Sequence, residues 1–301
     1  MSDSTASLQR KIKSAGDLES VVHTMKALAA SSIGQYVRSV SALEDYYRTV
    51  ELGLGACLRQ SEAASPTPEE KVSEEKEKLD TNIVGAIVFG SDQGLVGQFN
   101  EVIADFAIRT LSGLPGKPRV WAVGDRVHDR LTQAGLRPLG KLAVPNSVTA
   151  ITPLVGEIQV ESEGDRVKNG YTRVYVFHNS PRSGTLYEPV SQRLLPLDAE
   201  WRKGLVQIPW PVHTLPQVMS GIPTALRALV REYLFISLFR ACAESLASEN
   251  ASRLAAMERA NKNIKDLLEK LRGDFQRKRQ SSIDEELFDV VSGSEALAGR
   301  N

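Results

Sequence analysis

The sequence predicts an α/β chain: a long antiparallel coiled coil made by its two ends, with a small α/β domain between them. Two observations predict the coil. From Thr224 to Leu297 there is no proline, and the only glycines, Gly273 and Gly293, fall late, so one very long helix can run through the stretch. From Ser7 to about Gln60 there is again no proline. A third observation predicts the domain, because short apolar runs alternate with helical patterns between residues 83 and 197.

In the C-terminal stretch, Leu254, Met257, Ile264, Leu268, Leu271 and Phe275 follow an alternating three-and-four spacing, with Asn261 at the remaining position. That is the seam pattern of a coiled coil, so a partner helix is required. Some seventy residues at a rise of 1.5 Å would reach about 100 Å, so most of the rod is expected to protrude from a small domain. Off the seam the charges are mixed, with Glu244, Glu249, Arg253, Glu258, Arg259, Lys262, Lys265, Asp266, Glu269, Lys270 and Arg272 showing no large excess of either sign. In the N-terminal stretch Leu18, Val22, Met25, Ala29, Ser32 and Tyr36 show the same alternation. Small residues from Ala29 to Ser32 would let two backbones approach closely. An antiparallel pair of the two ends is the simplest solution; a homodimeric coil is the competing use of the same seams.

The expected organisation is a coiled-coil helix over 1–62, a charged, proline-punctuated linker over 63–81, an α/β domain over 82–200, a proline-rich return over 201–223 and the second coil helix over 224–301. Within the α/β domain, Ile83–Phe89 reads as a strand buried on both faces. A helix over Asn100–Leu111, a strand over Arg119–Val123, a helix over Asp125–Ala134, an amphipathic stretch over about 147–160 and a strand over Arg173–His178 follow. The succession makes a small, Rossmann-like parallel sheet with flanking helices. Residues 184–197 read as an edge strand broken by Pro189.

With 301 residues and a formal net charge of zero, the chain is neither disordered nor endowed with the basic stripe a nucleic-acid binder needs. Cys57 and Cys242 lie far apart and form neither a disulfide framework nor a metal-ligand pair, which fits a reducing cytosolic compartment. No apolar run of about 18 residues occurs, so membrane association is expected to be peripheral.

The most enzyme-like feature is the turn from Gly90 to Asn100. Gly90, Gly94 and Gly97 are not spaced as GxGxxG, and no lysine followed by Ser or Thr completes a phosphate-gripping loop. The same glycines serve a strand-to-helix turn that needs positive φ. His23, His128, His178 and His213 have no ligand partner at i+3 or i+4, and His128 and Asp129, as neighbours on a helix, are expected to point apart. No nucleophile or metalloprotease signature is present. A mechanical or interaction role is therefore expected, with no catalytic, cofactor-binding or metal-ligating residue. Near the C-terminus, basic Arg272, Arg277, Lys278 and Arg279 precede acidic Asp284, Glu285, Glu286 and Asp289. These read either as intrahelical ion pairs or as collars for surrounding subunits.

Residues 243–257 (AESLASENASRLAAM) resemble the long C-terminal helix of the gamma subunit of F-type ATP synthases. Residues 279–287 (RQSSIDEEL) and 290–297 (VVSGSEAL) are similar to that family's C-terminal signature. Residues 10–13 (RKIK) and 24–31 (TMKALAAS) are similar to its first helix, 91–100 (SDQGLVGQFN) to its post-strand turn and 194–197 (LLPL) to its segment before the return. The resemblance spans nearly the whole chain. It implies a non-catalytic central-stalk rotor that couples H+ or Na+ translocation to ATP synthesis or hydrolysis. The implied partners are the alpha and beta subunits, the epsilon subunit and the c-ring, at the cytoplasmic face of the cell inner membrane. It places Met25, Arg279 and Gln280 at the shaft contact with the beta subunit. Val22, Ala29, Leu254, Met257, Ile264, Leu268 and Leu271 fall in the seam, and Ile208 and Trp210 on the side of the foot that meets the c-ring. Asp284, Ser294 and Gln93 depart from the family's usual threonine, alanine and arginine, and the lysine before Thr24 is missing; such divergence suits an alternate ATP synthase. The alternative is a coiled-coil adaptor with a nucleotide-sensing α/β domain, which should fold alone and bind a nucleotide.

Overall fold

The computed structural model describes residues 4–63, 83–171, 173–182, 185–197, 199–212, 214, 216–219 and 221–298. The expected linker, from residue 64 onward, and His213 lie outside the described residues. Two helices dominate: α1 (Thr5–Ala63) and, at the other end of the chain, a helix over Ile222–Ala298. Between them run β1 (Ile83–Phe89), α2 (Phe99–Ser112), β2 (Lys117–Val123), α3 (Asp125–Gln133), β3 (Gly140–Leu142), α4 (Ile151–Asn169), β4 (Arg173–Arg182), β5 (Thr185–Leu195) and α5 (Ala199–Gln207). The C-terminal helix is therefore α6. It begins two residues before Thr224 and carries Pro223 in its first turn, where a missing N–H costs nothing.

The described residues fall into two compact units, one made by the stretches up to Ala29 and from Arg253 onward, the other by Ala30–Ser252. Each long helix contributes to both units.

In the larger unit the sheet order is β3-β2-β1-β4-β5, parallel except for β5. Side chains alternate along a strand. Val84, Ala86 and Val88 therefore join Ile103, Ala104, Ala107, Val127 and Leu131 of α2 and α3 in one core. Ile87 and Phe89 face the opposite way, into a second core with Ile151, Val155 and Ile158 of α4 and Leu238, Cys242 and Leu246 of α6. β1 is covered on both faces, which is why it reads as a continuous apolar run. Antiparallel β5 closes one edge, with Pro189 opposite Asn179.

Two elements depart from the sequence reading. Residues 140–142 add a short strand at the other sheet edge, and the supposed return segment 201–223 opens with α5. Leu205 of α5 packs on Val50, Leu54 and Leu58 of α1 and on Tyr233 and Ile236 of α6. Arg59 Nη1 donates to the carbonyls of Val206 (2.9 Å) and Ile208 (2.7 Å), satisfying acceptors left free where α5 ends. In this unit α1 and α6 run antiparallel: the Tyr46 hydroxyl donates to Glu232 at 2.8 Å, while Gly53, further along α1, meets Leu229, further back along α6.

The smaller unit is a helix pair. Ala15, Val22, Met257, Ile264 and Leu268 form its apolar cluster, flanked by Ile12, Met25, Ala256 and Ala260. Lys26 Nζ lies 3.1 Å from Glu258, and Glu19 lines a shallow hollow with Lys265, Leu268 and Arg272, so the pairing is again antiparallel.

Candidate functional site

The turn after β1 sits where an open parallel sheet changes strand direction, between the C-terminal ends of β1 and β4, the usual crevice for a nucleotide. Here it is filled by the chain itself. The Ser91 N–H donates to Asn100 Oδ1 (2.9 Å), and Asn100 Nδ2 donates back to Ser91 Oγ (2.8 Å). Asp92 accepts the N–H of Asp125 (3.0 Å) and of Val144 (2.9 Å), tying the ends of β1, β2 and β3 together. From the other side α6 closes the crevice: Ser252 Oγ donates to the Val96 carbonyl (2.5 Å) and Ser248 Oγ to the Asn179 carbonyl (3.0 Å). Asn179 Nδ2 in turn donates to the Phe99 carbonyl at 3.0 Å.

The glycines of this turn do not share one role. Gly97 has φ +58°, but Gly90 and Gly94 do not have positive φ, whereas Leu95 does, at +63°. Gly90 is required by close approach, since a Cβ there would collide with Val127 and lie 2.8 Å from Asn100 Oδ1. Sequence reasoning assigned all three to positive φ; packing of the turn against α3 is what holds one of them.

A partly buried ionic cluster fastens α6 to the sheet. Glu244, on α6, accepts from Arg240 Nε one helical turn earlier (2.6 Å) and lies 3.0 Å from His178 Nε2 on β4. Burial pushes the Glu244 carboxyl upward, but the hydrogen bonds from His178 and Arg240 outweigh it and hold the group at about 2. The i, i+4 spacing of Arg240 and Glu244 was readable in the sequence; the partner on β4 was not. His128 Nδ1 approaches Asp129 at 3.4 Å, although adjacent helical residues were expected to diverge. Among the described residues no group of three His, Cys, Asp or Glu is placed to hold a metal.

Of the seam residues expected from spacing, Val22, Met257, Ile264 and Leu268 meet in one cluster; Ala29 is buried, and Leu254 and Leu271 are half-buried. Leu18 is 52% exposed, which removes it from the seam. The buried positions of α1 in this unit are Leu8, Ala15, Val22 and Ala29, seven apart, and the second line runs through half-buried Ile12, Glu19 and Lys26. Periodicity cannot tell on which flank the partner helix lies, and here it lies on the side away from Leu18. Met25 packs half-buried beside the cluster, and Arg279 and Gln280 are exposed on α6. Ile208 is half-buried against α1 and α6 through the α5 cluster, and Trp210 is half-buried nearby in sequence.

One surface was not specified by the seam. With Lys26 opposite Glu258 and Glu19 opposite Leu268, equal rise in both helices brings Thr5, where α1 begins, opposite about residue 280. Beyond that point α6 has no described partner helix. Ile283, Leu287, Val290 and Val291 nevertheless form an apolar stripe at helical spacing, with Phe288 beside it, all exposed. Such a stripe marks a surface that another protein covers.

Two long helices paired along a seam, a sheet whose crevice one of them closes, and an unpartnered apolar helix end are the features of a subunit that works by contact with other chains. The family described as ATP synthase matches residues 4–297, and the chain belongs to it. The ATP synthase gamma chain of Desulforamulus reducens is 28% identical over 98% of this chain and 99% of its own length. That of Wolbachia sp. subsp. Drosophila simulans is 31% identical over 70% of this chain and 72% of its own. Among solved structures, a chain of the Euglena gracilis mitochondrial ATP synthase, from an OSCP/F1/c-ring assembly, shares the fold with a TM-score of 0.65 at 16% identity, covering 99% of this chain and 96% of that one. A chain of the rotor of the same enzyme gives 0.59 at 15% identity, over 93% and 98%. The chain is thus a gamma subunit of the central stalk of an F-type ATP synthase, a peripheral component without catalytic chemistry of its own. No described helix is long and apolar enough to cross a membrane.

Proposed function

We propose that this subunit is the turning shaft that couples H+ or Na+ flow through a c-ring to ATP synthesis or hydrolysis on a ring of alpha and beta subunits. The observation that carries the reading is the exposed stripe Ile283, Leu287, Val290 and Val291 on an α6 end that α1 does not reach. An apolar helix end of this kind fits inside a sleeve formed by other subunits, where it can rotate without losing directional bonds. Rotation of an asymmetric shaft then shifts the conformational populations of the catalytic subunits in turn. Met25, Arg279 and Gln280 are assigned to the beta-subunit contact, the exposure of the latter two supporting it. The segment around Ile208 and Trp210 is assigned to the c-ring and epsilon side; Val212 and Met219, exposed further along that segment, support the assignment. The complex is placed at the cytoplasmic face of the cell inner membrane.

The test is co-expression with the alpha and beta subunits of the same organism, followed by size-exclusion chromatography and an ATPase assay. A complex with the mass of three alpha, three beta and one copy of this chain, active in hydrolysis, supports the reading. Elution of this chain alone or as its own dimer overturns it. Arg279→Ala combined with Gln280→Ala should lower coupled activity in the complex; full activity would remove both residues from the beta contact.

A further inference from the structure

Helix α4 is apolar on two faces. Ile151, Leu154, Val155 and Ile158 are buried against the sheet. On the opposite face Pro153, Val160 and Val167, seven residues apart and so nearly in line, are all exposed, Val160 by 75% and Val167 by 73%. The line is about 21 Å long. Gly156 and Gly164 flank it. Each weakens the helix relative to alanine, yet a Cβ built at either position meets nothing within 4 Å. Nothing within this molecule needs those side chains to be missing.

The charges along the stripe are unevenly placed. Glu157 and Glu161 lie on one flank and Glu163 on the other, all exposed, while the cations Arg166 and Lys168 are confined to the last turn. Arg166 lies 3.8 Å from Glu163, whereas among the described residues Glu157 and Glu161 form no ion pair. A second copy of the same face would set acid against acid and is disfavoured.

We propose that this face of α4 is a docking surface for a basic amphipathic helix of a partner protein, whose apolar side lies along Pro153, Val160 and Val167 and whose lysines or arginines reach Glu157, Glu161 and Glu163. Gly156 and Gly164 let that helix come close. None of the contacts assigned to Met25, Arg279, Gln280, Ile208 or Trp210 uses this face, so the inference stands or falls apart from the shaft reading.

The full chain is titrated with two synthetic helical peptides that share a leucine stripe and differ only in carrying lysine or glutamate beside it. The lysine peptide should bind at least about tenfold more tightly, and salt should weaken it. Charge reversal at Glu157, Glu161 and Glu163 to lysine should invert the preference, and Val160→Asp should abolish binding with unchanged circular dichroism. Gly156→Ala and Gly164→Ala separate a binding role from a structural one: both should raise the melting temperature while weakening the lysine peptide. Equal binding of the two peptides, or alanine variants that bind as tightly as the native chain, would overturn the proposal.

Discussion

Replacing Leu268 and Leu18 by alanine, one at a time, tests which residues form the seam of the smaller unit. Spacing in the sequence puts both in the seam, whereas the structure leaves Leu268 5% exposed and Leu18 52% exposed. Leucine to alanine removes three side-chain carbons, each worth about 0.8 kcal/mol when buried. Leu268→Ala should therefore cost roughly 2–3 kcal/mol, with only a small cavity contribution because an open helix pair can close around the gap. Leu18→Ala removes the same carbons from a half-wetted site and should cost about 1 kcal/mol at most. The assay is amide hydrogen exchange of the full chain, read in peptides covering 253–275, because local separation of the two helices exposes those amides. The expected acceleration is roughly 30- to 150-fold for Leu268→Ala and about fivefold or less for Leu18→Ala. Equal acceleration by the two variants, or a larger effect at Leu18, would show that the pairing runs through Leu18 and would refute the register argued from burial.

Glu244 is held at about 2 in the folded chain against an ordinary 4.5, so its contribution is fully present above pH 4.5 and is lost as pH falls toward 2. Glu244→Gln should destabilise the chain near neutrality by up to about 3 kcal/mol; urea unfolding across the pH range should show the difference shrinking below pH 4.5, and a constant difference would contradict the ionic origin. Gly90→Ala should cost about 3 kcal/mol through collision with Val127 and Asn100. Gly94→Ala, which meets only the end of Arg126 at 3.6 Å, should stay within about 0.5 kcal/mol in the same denaturation experiment. Leu287→Asp and Val290→Asp should leave the melting of the isolated chain unchanged, because both side chains are exposed, yet lower ATP hydrolysis in the assembled complex. A loss of fold in the isolated chain would show that the stripe is covered by this chain itself.

The sequence by itself determined the two long helices, because a proline-free stretch with apolar residues at alternating three and four has few other stable uses. It also determined β1, whose continuous apolar run Ile83–Phe89 is what burial on both faces demands, and the edge position of β5, announced by Pro189. Local patterns of this kind depend only on near neighbours along the chain. Four things depended on distant ones and were decided by the tertiary structure. The flank on which α6 meets α1 moved the second seam line from Leu18 to Glu19, a choice that periodicity leaves open. Helix α5 escaped detection among prolines because its stability comes from packing Leu205 on α1 and α6 rather than from its own nine residues. The His178–Glu244 pair joins residues 66 positions apart, and the apolar end of α6 becomes an unpartnered surface only once the start of α1 is known to fall short of it. In each case the physical reason is the same: spacing along a helix specifies a face, and only the folded chain specifies what that face meets.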